Sequence, residues 1–177
     1  MSESQMIPLP LLGFAGFSGV GKTTLLSAVL PLLVKHGVRV GMIKHAHHNF
    51  DIDQPGKDSY LLRKAGASQM LIASSQRWAL MVENDNVTRD PDLDALLGRL
   101  DQSRLDLILV EGFKHEAIPK IEIHRAGLGH PLLFGADQDI IAIACDAATL
   151  LNSSITRLDI NDPEQVVEFI VKNILRH

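Results

Sequence analysis

The stretch Gly16-Phe17-Ser18-Gly19-Val20-Gly21-Lys22-Thr23-Thr24 constrains this chain more than any other. It satisfies the spacing G-x-x-x-x-G-K-[ST] at every fixed position, and its flanks agree with it. The apolar run from Leu9 to Ala15 precedes it and predicts a buried strand. Apolar residues at helical spacing follow it from Thr23 to Lys35, with Pro31 near the end and Gly37 just beyond. Strand, glycine-rich turn and helix, in that order, make a cradle for an anion. Glycines let the backbone curl so that successive N–H groups turn inward. The first turn of the helix adds unpaired N–H groups and the positive end of its dipole.

This is the P-loop arrangement, and it assigns roles by position. The backbone from Gly16 through Ser18, Gly19, Val20 and Gly21 would surround phosphate oxygens. Lys22 would reach the β- and γ-phosphates of a nucleoside triphosphate, the Thr23 hydroxyl would ligate Mg²⁺, and Thr24 would bond a phosphate further back.

Composition sets the frame around this loop. At 177 residues, with 46% hydrophobic and 21% charged side chains, the chain suits a single α/β domain over residues 1–177. A net charge of −4, with both signs mixed along the chain, argues against a nucleic-acid surface. The start, Met1 to Met6, has no basic segment, so it does not read as a signal peptide. No apolar run is long enough to span a membrane. A cytoplasmic protein is expected. The lone cysteine, Cys145, lies in an apolar strand pattern and reads as a buried small hydrophobe rather than a nucleophile.

Further along, Val38 to Lys44 predicts a second buried strand and Ser59 to Lys64 a short helix capped by Asp58. Ser68–Ser74 and Trp78–Glu83 predict strands around a turn. Asp90-Pro91 predicts a helix start, with Leu93, Leu96, Leu97 and Leu100 as its apolar face. Leu105 to Val110 predicts the best core strand. Ile118-Pro119-Lys120-Ile121-Glu122-Ile123-His124-Arg125 alternates strictly after Pro119, which predicts a half-exposed strand near an edge and, around Ile121 and Ile123, a candidate dimer contact. Asp139–Cys145 and Ile155–Ile160 predict two more strands, and Asp162-Pro163 opens a last helix. The order β-α-β-α-β-β-α-β-β-β-β-α fits a mostly parallel sheet with helices on both faces and an antiparallel excursion.

Other residues join the P-loop as chemical candidates. Leu107-Ile108-Leu109-Val110-Glu111 delivers one carboxylate to a strand end, as a Walker B strand does. Glu111 would hold Mg²⁺ through water or orient an attacking water, and Gly112 would let a backbone N–H approach the γ-phosphate. Asp51 and Asp53 lie in the loop after the second strand; one or both could serve the Mg²⁺ shell or its water, or simply make a turn. His45, His47 and His48 form H-x-H-H, open to three readings: a transition-metal site with Asp51, donors to phosphate or pterin, or plain surface histidines. Asp146, at a strand end, could accept bonds from the N1 and N2 hydrogens of guanine, although no N-K-x-D motif accompanies it.

Several stretches together resemble one family. They are Gly13 to Thr24, Lys44-His45-Ala46-His47-His48-Asn49-Phe50-Asp51-Ile52-Asp53, Pro55 to Ser59, Arg63 to Ala67, Val110-Glu111-Gly112-Phe113-Lys114 and Pro119 to Glu122. The chain resembles the molybdopterin-guanine dinucleotide biosynthesis adaptor family, protein B of the Mob pair, over most of its length. The resemblance implies a homodimeric P-loop protein that binds GTP and Mg²⁺ and hydrolyses GTP slowly at best. It implies a place in molybdenum cofactor maturation beside the guanylyltransferase, other proteins of that route, and molybdopterin itself. Lys44, His45, His47 and His48 would then meet nucleotide, cofactor phosphate or a partner. Two other classes stand against it. A small-molecule kinase would need an arginine-bearing lid, and Arg77, Arg89, Arg99 and Arg104 are scattered. A non-catalytic module would use the histidine loop for metal or partner binding.

Overall fold

The computed structural model describes residues 9–46, 50–84, 90–149 and 153–175. Contacts divide the chain into two compact units, residues 46–91 and the remainder.

The larger unit is built on a six-stranded parallel sheet ordered β2-β5-β1-β6-β7-β8. Its strands are β1 (Leu11–Ala15), β2 (Val40–Lys44), β5 (Leu107–Glu111), β6 (Lys120–His124), β7 (Ile140–Cys145) and β8 (Thr156–Asp159). Its helices are α1 (Lys22–Lys35), α3 (Leu93–Leu97) and α4 (Pro163–Asn173). The sequence of elements is the expected one throughout.

β5 shows why the sheet takes this form. All of its residues are buried. Leu107 and Leu109 join Leu12, Phe14 and the buried faces of α1 and α4 in one core. Ile108 and Val110 point the other way, against Leu93, Leu96 and Leu97 of α3. An uninterrupted apolar strand is stable only where both faces are covered. The chain leaves β1 towards β2 on one side and later returns to β6 on the other. The carboxyl end of β1 therefore opens at a switch in strand order, where such sheets form their ligand crevice.

The expectation for β6 is overturned. This strand is central, between β1 and β7, and every residue in it is buried. Ile121 and Ile123 enter the α1–α4 core, while Lys120, Glu122 and His124 face the opposite side. Lys120 and Glu122 are buried because residues outside the strand satisfy them. Lys120 Nζ donates to Glu116 O at 2.6 Å and pairs with Asp137 at 3.0 Å. Glu122 accepts from the N–H groups of Leu133 at 2.8 Å and Phe134 at 3.0 Å. Burial pushes the Glu122 carboxyl above its ordinary value, with these amides pulling the other way. Gly13 on β1 makes room, since a Cβ there would stand 2.6 Å from Lys120 Cγ. With no free edge at β6, it offers no dimer contact of the expected kind.

One helix start also moves. α3 is capped by Asp92, whose Oδ1 accepts from Asp94 N and Ala95 N, rather than by Asp90. The following helix amides are within reach of the second aspartate of the Asp-Pro-Asp run, not the first. Asp162 caps α4 with Pro163 in its first turn, as expected.

The smaller unit holds α2 (Asp58–Lys64) and an antiparallel hairpin, β3 (Gln69–Ala73) with β4 (Trp78–Val82). α2 starts at Asp58 itself, with no side-chain cap. The hairpin is apolar and largely bare: Trp78 is 65% exposed and Leu71 59%. Among the described residues, no helix is long and apolar enough to cross a membrane.

Candidate functional site

The glycine-rich turn leaves β1 and ends at Gly21, the left-handed N-cap of α1. Gly16 takes φ 147° and passes so close to β6 that a Cβ would sit 2.6 Å from Ile123 O. Only glycine permits that approach. Lys22 folds back over the turn, its Nζ donating to Gly16 O and Phe17 O, both at 2.9 Å. Partial burial holds the Lys22 ammonium below the ordinary lysine value, and nearby Glu111 works against that shift. Ser18, Thr23 and Thr24 are exposed beside it. The loop thus brings a cation and a helix start together.

The next strand over contributes a carboxylate. Glu111 ends β5, beside Phe14 of β1 on one flank and Lys44 of β2 on the other. Its side chain is nearly buried, and its Oε2 lies 3.1 Å from Lys44 Nζ. His45 N donates to Glu111 O at 2.8 Å, and the His45 ring packs at a tilt against Phe113, centroids 5.2 Å apart. Gly112 takes φ 93°, and a Cβ there would meet His45 Cβ at 2.9 Å. The V-E-G-F-K stretch and the K-H dipeptide are therefore two halves of one packed corner.

On the opposite flank of β1, the ends of β6 and β7 meet. Asp146 Oδ1 accepts from the Thr149 hydroxyl at 2.8 Å and from Ala126 N at 3.4 Å. The Thr149 hydroxyl is the main reason that its carboxyl lies below the usual aspartate value. Beside it, Arg125 Nε donates to Val20 O of the glycine turn at 3.3 Å. The Phe17 ring of that turn stacks on His130, centroids 4.5 Å apart at 12°. Sequence reasoning missed Arg125 and His130. Arg125 is the first residue past a strand that proves to lie beside β1, which only the strand order reveals.

Asp51 and Asp53 fall in the smaller unit, and both are engaged by Arg63. Its Nε meets Asp53 Oδ2 at 3.1 Å, its Nη1 meets Glu83 Oε1 at 2.7 Å, and its Nη2 meets Asp51. Ser59 Oγ donates to the other Asp53 oxygen at 3.4 Å. The Arg63 side chain is nearly buried, and its guanidinium is raised above its ordinary value by these bonds, that from Asp51 first. His47 and His48 lie outside the described residues. Among the described residues, no group of three or more His, Cys, Asp or Glu side chains could hold a metal ion. Thr23 and Glu111 supply hard oxygen donors, which suit Mg²⁺ arriving with phosphate and water rather than an all-protein cage.

A parallel sheet with a glycine-rich turn, a lysine and a strand-end carboxylate at its carboxyl edge defines a P-loop NTPase fold. Residues 11–146 match the family described as Molybdopterin guanine dinucleotide synthesis protein B, and the chain belongs to that family. Over 165 residues it is 53% identical to the molybdopterin-guanine dinucleotide biosynthesis adapter protein of Escherichia coli strain K12, spanning 93% of each chain. It is 44% identical to the protein of the same name from Haemophilus influenzae, over 96% of this chain and 91% of that one. The crystal structure of Bacillus subtilis MobB superposes with a TM-score of 0.72 at 24% identity, covering 93% of this chain and 98% of that one, which speaks to the fold.

Proposed function

We propose that this chain is a GTP-binding adapter in molybdopterin guanine dinucleotide biosynthesis, with slow Mg²⁺-dependent hydrolysis. The names of its relatives carry the adapter role. One observation carries the nucleotide reading: the Lys22 ammonium folds back over the glycine turn onto Gly16 O and Phe17 O. A polyphosphate supplies better partners for that cation than two neutral carbonyls do.

In this reading Lys22 moves to the outer phosphates and the turn's amides bind the rest. Thr23 and Glu111 would hold Mg²⁺, which would supply positive charge against the phosphates. Lys44 restrains Glu111, so the carboxylate is a weak handler of attacking water and hydrolysis is slow. Asp146 favours guanine by accepting from its ring and amino hydrogens. Asp51 and Asp53 are committed to Arg63, which supports Thr23 and Glu111 as the magnesium residues instead. The bare hairpin supports a homodimer, because exposed apolar surface of this kind marks an interface. The Lys44–His48 segment is where guanylyltransferase, molybdopterin or a cofactor phosphate would be met.

Calorimetric titration with GTP and ATP, each with and without Mg²⁺, tests the reading. GTP binds the wild-type protein and fails to bind Lys22→Ala, whose fold is intact. Equal GTP affinity in the two proteins overturns it.

A further inference from the structure

We propose that Arg125 contacts the nucleoside of the bound nucleotide, its guanidinium plane lying against the base on the β6 side of the glycine turn. The inference rests on the nucleotide reading above and adds a residue to it.

Strand order divides the site into two halves. Glu111 and Lys44 stand on the β5–β2 side of β1 and have the chemistry for the outer phosphates and Mg²⁺. The nucleoside then extends to the other side, over the ends of β6 and β7. Two groups lie near each other there. Asp146 offers acceptor oxygen, and Arg125 stands between it and the turn.

Arg125 is positioned for this. Nε is fixed on Val20 O at 3.3 Å, and a Cβ on Gly21 would lie 3.9 Å from Nη2, so the guanidinium covers the turn at the start of α1. The next residue, Ala126, donates its N–H to Asp146 at 3.4 Å. Stacking of His130 on Phe17 holds the same segment on the turn. A guanidinium is weakly hydrated and planar, and it stacks on a ring face while keeping in-plane donors for an acceptor. One Arg125 bond stays with Val20 O while the plane meets the base.

Calorimetry with Mg²⁺ and three probes, GTP, GDP and inorganic tripolyphosphate, tests this in wild type, Arg125→Ala and Arg125→Lys. Arg125→Ala weakens GTP and GDP equally, by about tenfold, the scale of one lost stacking contact. Tripolyphosphate, which has no nucleoside, binds that variant as it binds wild type. Arg125→Lys behaves like the alanine variant because an ammonium has no plane. Weakening of tripolyphosphate as well would leave Arg125 a shaper of the turn only and overturn the proposal. So would a loss confined to GTP, or no loss. Should Arg125→Ala not fold, Arg125→Lys carries the same comparison. Failure of wild type to bind GTP would instead remove the nucleotide reading, and this inference with it.

Discussion

Lys44 and Glu111 stand opposite each other in the parallel register of β2 and β5, with Nζ 3.1 Å from Oε2. The lysine is half exposed and the carboxylate almost covered, so the pair stands at the strand ends without being sealed off from water. Neutralising the carboxylate separates chemistry from binding. Glu111→Gln is expected to bind GTP within a factor of about three of wild type in EDTA, having lost no phosphate ligand. Its single-turnover hydrolysis with Mg²⁺ falls by about tenfold or more, the scale of one water-positioning group. Unchanged hydrolysis would remove Glu111 from the reaction.

Lys120 gives a stability prediction. Its ammonium is buried and bonded to Glu116 O, Lys114 O and the carboxylates of Asp137 and Asp139. Lys120→Met keeps the stem beside Gly13 but removes the charge. Breaking a buried pair costs about 3–5 kcal/mol, here towards the lower end because Asp137 and Asp139 reach water. Urea denaturation of both proteins gives the difference. A variant as stable as wild type would show that the methionine stem alone suffices.

Acid should act at Asp106. Arg39 grips its carboxylate with Nε at 2.9 Å and Nη2 at 2.7 Å and holds its pKa down to about 2, from an ordinary 3.8. A folded value below the unfolded one adds stability above the unfolded value, and that stability is lost as pH falls from 3.8 towards 2. Glu122 has the opposite sign. Its raised folded value favours the protonated acid, so its contribution falls as pH rises from 4.5 through the raised value. Asp106→Asn should flatten the acid limb of an unfolding curve. The pair is solvent-exposed, so the change is small. An unaltered limb would mean that the grip exists without consequence.

The hairpin should govern assembly. Trp78→Glu places a charge on the hairpin that carries Leu71 and Leu80, side chains bare, as Trp78 is, in the single chain. Light scattering is expected to report a dimer for wild type and a monomer for the variant. A monomeric wild type would remove the homodimer from the proposal.

The site was legible in the sequence where its logic is local. The glycine turn needs only neighbouring residues to be recognised, and Glu111 ends a run of apolar residues that only a central strand tolerates. β6 misled because alternation was read as exposure. Lys120, Glu122 and His124 do alternate with isoleucines, but residues 133–139 return over them with amides and carboxylates. No window of the strand itself contains those partners. Arg125 was hidden for a related reason, since its meaning depends on β6 lying beside β1. Asp51 and Asp53 looked like free loop carboxylates until Arg63, ten residues beyond Asp53, was placed between them.

The Lys120 anchor limits how far the chain beyond β5 can move. By gripping the carbonyls of Lys114 and Glu116 from beneath, it nails down the chain a few residues past Glu111. Between Glu111 and the first gripped carbonyl, only Gly112 and Phe113 are left in which to flex. Displacement at the strand end is thereby confined to a joint two residues long.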